Sequence, residues 1–161
     1  QTKIAAWFIY LNKTCYNGLY RVNKSGLFNV PIGDYKDPAI LDEENLRNCS
    51  KVLKGAKISQ HDFTQEKIYK NDFYYIDPPY HKAYDGYNGD GFGDEEHKKL
   101  AEFCRAIDKK EGFFMLSNSN TSLIRELYKG YNIDIVSASR FVSCKASQRK
   151  KYNELIIRNY K

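Results

Sequence analysis

Short apolar runs alternate with helix-like stretches along the second part of the chain. Phe73–Ile76 and residues 113–116 are compact apolar runs of the kind that forms buried strands. Between them, Asp94 opens an acidic stretch whose later apolar positions recur at helical spacing, and acids suit the first turn of a helix because of its dipole. Strands that alternate with helices predict an α/β fold with a mostly parallel sheet covered by helices.

Further segments complete this predicted sheet. They are a strand at residues 57–59, a helix capped by Thr121 and stopped by Gly130, and strands at residues 133–136 and 153–158. We predict that the last two strands, which are joined by a basic loop, form an antiparallel hairpin at the edge of the sheet.

The first part of the chain is less regular. Residues 4–11 are apolar and aromatic, which predicts the end of a helix. Residues 12–38 are rich in Asn, Gly, Tyr and Pro and predict irregular loops with short strands, because turn signals occur at residues 17–18 and 31–34. Asp42 then caps a predicted helix that ends near Gly55.

Composition limits the class of protein. The chain has 161 residues, of which 29% are charged, and no apolar run approaches the ~18 residues of a membrane-spanning helix, so we expect a soluble cytoplasmic domain with no membrane partner. No signal peptide opens the chain, and its first residue is Gln1, so we expect it to be cut from a longer protein. The four cysteines and three histidines are scattered, which predicts neither a disulfide framework nor a metal site.

The basic residues concentrate at the two ends of the chain. Residues 140–161 carry seven Lys or Arg against Glu154 alone, and the first 33 residues carry four basic residues and no acid. Two basic ends suit a polyanion such as nucleic acid. A solvated surface with terminal lysines is an equally good interpretation of the charge alone.

An Asp-Pro-Pro-Tyr motif (residues 77–80) directly follows the predicted strand Phe73–Ile76. Ligands of open α/β sheets lie beyond the carboxyl ends of strands. The two prolines remove two N–H donors and stiffen the turn, so it offers one carboxylate, backbone carbonyls and an aromatic ring, with no nucleophile. The alternative is a strand-ending turn with incidental prolines.

Such a turn suits chemistry on the amino group of adenine, whose lone pair is delocalised into the ring. Hydrogen bonds from both amino N–H groups to Asp77 and to the carbonyl of Pro78 would favour a more tetrahedral nitrogen that can attack an electrophilic methyl group. Tyr80 can stack on the base after it leaves the duplex.

Segments beyond this motif resemble the Dam-type (class alpha) DNA adenine-N6 methyltransferases, in which target recognition precedes the Asp-Pro-Pro-Tyr motif. Residues 17–23 and 26–33 look like the DNA-contacting segment of that family. Residues 117–121 resemble the loop after the strand that follows the motif, and residues 140–143 with 149–155 resemble the basic loop and final strand. The likeness covers nearly the whole chain, in the order of the family's C-terminal portion.

The resemblance implies a Rossmann-like methyltransferase sheet, here partial because the N-terminal cofactor strands are missing, with an irregular target-recognition segment. Residues 1–56 are then the target-recognition and DNA-binding segment, and residues 57–161 the C-terminal part of the catalytic domain. It also implies double-stranded DNA as substrate, base flipping, S-adenosylmethionine as cosubstrate, no metal, and a cognate restriction endonuclease in a bacterial or phage-like cytoplasm.

Residue roles follow from the same resemblance. Asp77, Pro78 and Tyr80 are expected to be catalytic, and Asp62, Phe63 and Asp77 to bind S-adenosylmethionine. The expected DNA contacts are Tyr16, Asn17, Leu19, Arg21, Asn23, Pro31, Arg140, Arg149 and Lys150. Without the family, the favoured interpretations are Asp62 as the cap of a turn, Leu19 and Pro31 as packing residues, and Arg21 as a surface charge.

Two features depart from the family. The resemblance implies a short palindromic target such as GATC. Asp34 stands where many relatives carry a basic residue, and a carboxylate near phosphates is repelled, so this target is less well supported than the reaction. The glycine-rich cofactor turn after an N-terminal strand is not found, since residues 89–93 follow the motif and precede an acidic helix. We therefore expect weak or no binding of S-adenosylmethionine by this chain alone.

Two other functions stay open at this point. One is a DNA-binding module without catalysis, which retains the basic ends and the recognition segment. The other is a methyltransferase acting on RNA or on a protein glutamine amide, although protein-glutamine enzymes generally carry Asn at the position of Asp77.

Overall fold

A computed structural model describes residues 1–82, 92–139 and 151–161 of the chain. The contacts within it form two compact units, Gln1–Ser59 (the first unit) and Gln60–Lys161 (the second unit). The functions predicted for residues 1–56 and 57–161 stay predictions. Within the described residues, no helix is both long enough and apolar enough to cross a membrane.

The first unit begins with helix α1, Thr2–Thr14, which is longer than the helix end predicted at residues 4–11. A 3-10 turn at Tyr16–Gly18 then leads into a loop that has two isolated β-bridges. The bridges join Cys15 to Ile32 and Val22 to Phe28. The prediction of irregular loops is therefore confirmed, whereas the predicted short strands are present only as isolated bridges.

Helix α2, Glu43–Leu53, closes the regular structure of the first unit. The Asp42 side chain accepts a hydrogen bond from the N–H of Asn45 at 3.1 Å, as expected of a cap that satisfies an otherwise unpaired N–H in the first turn. The predicted cap is thus confirmed, and the helix ends two residues before Gly55.

The second unit holds a four-stranded mixed sheet in the order β1-β2-β4-β3. Its strands are β1 Phe73–Ile76, β2 Phe113–Ser119, β3 Asn132–Ser139 and β4 Lys151–Arg158. β1 runs parallel to β2, whereas β4 is antiparallel to both of its neighbours. The prediction of an α/β fold is confirmed, but the prediction of a mostly parallel sheet is wrong, because only one of the three strand pairs is parallel.

The position of β4 explains this difference. β3 and β4 are antiparallel as predicted, yet of these two strands only β3 lies at an edge of the sheet, and β4 lies inside it. Leu155 and Ile157 of β4 are fully buried. An inner strand covered by helices can bury such side chains more completely than an edge strand can. The strand predicted at residues 57–59 does not form, and its one large apolar side chain, Ile58, is 79% exposed.

Helices α3, Asp94–Lys109, and α4, Ser122–Leu127, cover one face of the sheet. The core that they share with β2 and β4 comprises Leu100, Ala101, Cys104, Ile107, Phe114, Leu116, Ile124, Tyr128, Leu155 and Ile157. Each fully buried Leu or Ile contributes about 1.5–3 kcal/mol relative to an exposed one. This core fixes β1 and β2 as the frame on which the Asp-Pro-Pro-Tyr motif is mounted.

Candidate active site

The Asp-Pro-Pro-Tyr motif starts at the residue after β1 ends. Because Ile76 of β1 pairs with Leu116 of β2 in parallel register, the next residues, Asp77 and Ser117, lie side by side. Ser117 Oγ donates a hydrogen bond to Asp77 Oδ1 at 2.8 Å. Ser117 is buried and Asp77 is exposed, so the turn presents a fixed carboxylate to solvent.

Tyr80, at the end of the motif, is half-buried. Burial raises the pKa of its phenol, a hydrogen bond with Ser117 partly offsets that rise, and the nearby carboxylates of Glu154 and Asp77 add to it. The ring is therefore an uncharged aromatic plate at neutral pH. A neutral ring suits stacking on a base better than a phenolate does.

His81 anchors the motif to two other elements. Its ring lies within hydrogen-bond distance of Thr121 Oγ1 through Nδ1 (2.7 Å) and of Asp94 Oδ1 through Nε2 (3.0 Å). Thr121 also caps α4, as predicted, by accepting a hydrogen bond from the N–H of Ile124. The residue after the motif is thus tied to the first residue of α3 and to the start of α4.

Asn118 of β2 holds the same region through hydrogen bonds of its side chain. Its Oδ1 accepts hydrogen bonds from the N–H of His81 at 3.0 Å and from the N–H of Ser119 at 2.8 Å. Asn118 is fully buried. Residues 117–119 were expected in a loop but extend β2, and this extension brings Ser117 and Asn118 under the motif.

His97 lies in the first turn of α3 behind this cluster. It is fully buried, and neither ring nitrogen has a hydrogen-bond partner in the part of the chain that the structure describes. Burial lowers its pKa to about 4, helped by the nearby His81 and opposed by Asp94 and Glu96. Its ring packs edge-on against Phe92 at 4.8 Å and His81 at 5.4 Å between centroids.

No role was predicted from the sequence for His81, His97, Ser117 or Asn118. Two weak signals for these residues were present in the sequence. His81 directly follows the motif, and His97 precedes Leu100 by three positions, which places it on the buried face of α3. The contacts of His81 span 13 and 40 residues of sequence, which spacing alone does not predict.

Asp62 and Phe63 lie at a second exposed point of the second unit. The Asp62 carboxylate caps the 3-10 turn Phe63–Gln65 by accepting hydrogen bonds from the N–H of Thr64 at 2.9 Å and from its hydroxyl. The Thr64 side-chain and backbone hydrogen bonds lower the pKa of Asp62. Phe63 is half-buried against Phe92 and Phe103, with ring centroids 6.0 and 5.8 Å away.

The expected DNA contacts in the first unit lie on one short stretch of chain. Arg21 donates from Nε and Nη2 to the side-chain and backbone oxygens of Asn29, each at 2.9 Å. Asn23 Oδ1 accepts from the N–H groups of Ser25 and Leu27, both at 3.0 Å. These bonds hold the tip of the loop at the Val22–Phe28 bridge.

The remaining residues of this set surround the first bridge. The N–H of Tyr16 donates to the carbonyl of Pro31 at 2.8 Å, and Asn17 adopts a left-handed φ of 51° within the 3-10 turn. Leu19 is half-buried and Pro31 is exposed. Arg140, Arg149 and Lys150 lie outside the described residues, as do residues 83–91 after the motif.

Across residues 1–82, 92–139 and 151–161, no three His, Cys, Asp or Glu residues are placed to share a metal ion. The expectation that this chain uses no metal stays a prediction. Cys15, Cys49 and Cys104 are free thiols.

Curated relatives align with almost all of this chain. A type II methyltransferase, M.MjaIII, of Methanocaldococcus jannaschii is 47% identical over 99% of the chain, and the Lactococcus lactis type II methyltransferase M1.LlaDCHI is 39% identical over 97%. The retron Ec67 DNA adenine methylase of Escherichia coli is 35% identical over 94%. The alignments span 58%, 58% and 54% of these relatives, so the chain covers somewhat more than half of their length.

A family profile gives the same result. Residues 1–142 match the profile described as D12 class N6 adenine-specific DNA methyltransferase. The matched residues include the Asp-Pro-Pro-Tyr motif and the stretch from Tyr16 to Pro31. The resemblance found in the sequence is therefore confirmed: the chain belongs to the D12 class of N6 adenine-specific DNA methyltransferases.

Proposed function

We propose that this chain acts in site-specific DNA adenine-N6 methylation, with Asp77, Pro78 and Tyr80 as its catalytic residues. The observation that carries the proposal is the exposed Asp77 carboxylate at the carboxyl end of β1, held by buried Ser117 beside the half-buried ring of Tyr80. Ligands of open α/β sheets lie at this end of the strands. Membership of the family supports adenine in DNA as the target.

Asp77 and Pro78 act on the adenine amino group as hydrogen-bond acceptors. One carboxylate oxygen of Asp77 accepts one amino N–H, and the carbonyl of Pro78 accepts the other. The prolines contribute no N–H that would compete for these acceptors. Acceptors fixed before the reaction favour a tetrahedral nitrogen with a localised lone pair, which is an electrostatic contribution to the transition state.

Tyr80 holds the flipped base. Its uncharged ring stacks on the adenine, and stacking on an aromatic side chain contributes about 1–3 kcal/mol per base. This offsets part of the energy needed to take the base out of the duplex.

Asp62 and Phe63 fit the nucleoside end of S-adenosylmethionine. The exposed Asp62 carboxylate can accept an N–H, and the adjoining Phe63 ring is half-buried and offers an apolar contact. When bound, the cosubstrate supplies a methyl group whose bond to sulfur breaks as the bond to the amino nitrogen forms, and that nitrogen then releases one proton. Because the family's glycine-rich cofactor turn was not found in the sequence, we propose weak or no binding by this chain alone; micromolar binding in a calorimetric titration would contradict this.

The test is transfer of labelled methyl groups to unmethylated duplex DNA, measured at S-adenosylmethionine concentrations far above micromolar because we propose weak binding by this chain. We expect Asp77→Ala to lose transfer by ~100-fold or more, because a fixed acceptor in the transition state is removed. Asp72→Ala is the matched control, since Asp72 is an exposed aspartate just before β1 and its replacement should leave transfer unchanged. Equal transfer by both variants would overturn the assignment of Asp77.

A second candidate function is DNA binding without methyl transfer. It is favoured by the first unit, which is compact by itself and contains the expected contacts from Tyr16 to Pro31. Salt-dependent DNA binding with no transfer by the wild-type chain would support it. We further propose that the enzyme is cytoplasmic and is paired with a restriction endonuclease, since two relatives bear type II methyltransferase names. The test is to find an endonuclease that cleaves the unmethylated target and does not cleave the methylated one.

A further inference from the structure

We propose that Ser117 is a positioning residue for methyl transfer, which sets the orientation of the Asp77 carboxylate. The inference rests on the proposed role of Asp77. Ser117 itself does not touch the substrate. It acts through the hydrogen bond from its hydroxyl to Asp77 Oδ1.

The hydroxyl of Ser117 has a single proton to donate. The structure directs that proton to Asp77 Oδ1 at 2.8 Å, which leaves the second oxygen of Asp77 to accept an amino N–H from the base. Ser117 also hydrogen-bonds to Tyr80. One side chain therefore contacts both proposed catalytic groups, Asp77 and Tyr80.

Ser117 can hold this position because it is rigid itself. It lies within β2, it is only 4% exposed, and its backbone is paired with Ile156 of β4. The next residue, Asn118, holds the far end of the motif through the N–H of His81. Two consecutive buried residues of β2 therefore fix the first residue of the motif and the residue after it.

Removal of the Ser117 hydroxyl should affect orientation more than binding. Asp77 is exposed, so without this bond its carboxylate can rotate among several side-chain conformations. A misplacement of about 1 Å in a catalytic group can cost ~100-fold in rate. We expect Ser117→Ala to reduce kcat ~10- to 100-fold, with KM for S-adenosylmethionine and Kd for DNA essentially unchanged.

Variants at Ser117 separate the hydrogen bond from side-chain volume. Ser117→Cys keeps the size but offers only a weak donor, so its kcat should fall with that of Ser117→Ala. Ser117→Thr keeps the hydroxyl and should retain most of the activity. Ser122→Ala is the matched control, because Ser122 is exposed on the first turn of α4, and it should leave kcat unchanged. Thermal unfolding of each variant shows whether it folds.

A second readout does not depend on activity. The carboxyl carbon of Asp77, assigned in NMR spectra by its absence in Asp77→Ala, should shift in Ser117→Ala and Ser117→Cys but not in Ser122→Ala. An unchanged resonance, or a KM that rises while kcat is kept, would overturn the proposal. If the wild-type chain transfers no methyl groups, the proposed function fails and so does the kinetic part of this inference, while the resonance still decides whether Ser117 holds Asp77.

Discussion

The two units of the chain differ sharply in how they are held together. In the first unit, all of whose residues are described, Cys15 is the one buried hydrophobic residue. Its loop is instead held by local hydrogen bonds such as those from Arg21 to Asn29. The described part of the second unit has ten buried core residues drawn from two helices and the strands that they cover. A packed core fixes the proposed catalytic groups, whereas hydrogen-bonded turns shape the expected DNA contacts.

The largest effect should come from a cavity in the core of the second unit. Leu155→Ala, in the inner strand β4, should lower the free energy of unfolding by about 3–5 kcal/mol, because the surrounding side chains cannot collapse into the space. Urea unfolding followed by circular dichroism measures the change.

The matched change in the first unit is Ile32→Ala. Ile32 is 88% exposed, so we expect a change within about 0.5 kcal/mol, read from the fluorescence of Trp7, the single tryptophan of the chain. Comparable losses at the two positions would mean that the first unit depends on buried apolar contacts as much as the second does.

The second expected effect is a pH dependence that arises from a buried histidine, a residue type present in the second unit and absent from the first. The folded-state pKa of His97 is lowered to about 4, below its ordinary value of 6.5. Between these values the unfolded chain binds a proton that the folded chain does not. The stabilisation from neutral His97 is thus fully present above pH 6.5 and is lost as pH falls towards 4, by up to about 3 kcal/mol.

Replacement of His97 isolates this contribution. In His97→Gln the free energy of unfolding should depend less steeply on pH between about 4 and 6.5, where His97 titrates. His61→Gln is the control, because His61 is more exposed and pairs with Glu66. If the slope is the same in wild type and His97→Gln, the buried imidazole is not the group that titrates.

The comparison also shows what the sequence could predict. Asp42 and Thr121 were identified as helix caps, and the strand before the motif was found, because these signals lie within a few residues. The insertion of β4 between β2 and β3 was missed, since strand order depends on pairings between residues far apart in sequence.

The candidate site shows the same difference between local signals and contacts that are distant in sequence. The Asp-Pro-Pro-Tyr motif was found from four adjacent residues, but Ser117 lies 40 positions from Asp77 and was recognised only as part of a family segment. Asp62 was given two interpretations, and the structure shows the local one, a turn cap, while its expected contact with S-adenosylmethionine stays a prediction.

The smallest expected effect concerns DNA binding by the first unit. Arg21 is exposed, and its double hydrogen bond to Asn29 holds its guanidinium on the loop. If Arg21 contacts a phosphate, Arg21→Ala should reduce the slope of log K against log salt by about one, since one fewer counterion is released. Arg125→Ala is the matched control, because Arg125 is also exposed and bonded to an asparagine, Asn120 at 2.7 Å, but lies in the second unit. If the slope falls in Arg125→Ala alone, the principal phosphate contact lies in the second unit. If it falls in Arg21→Ala alone, the contact lies in the loop that is held by hydrogen bonds and not by a core.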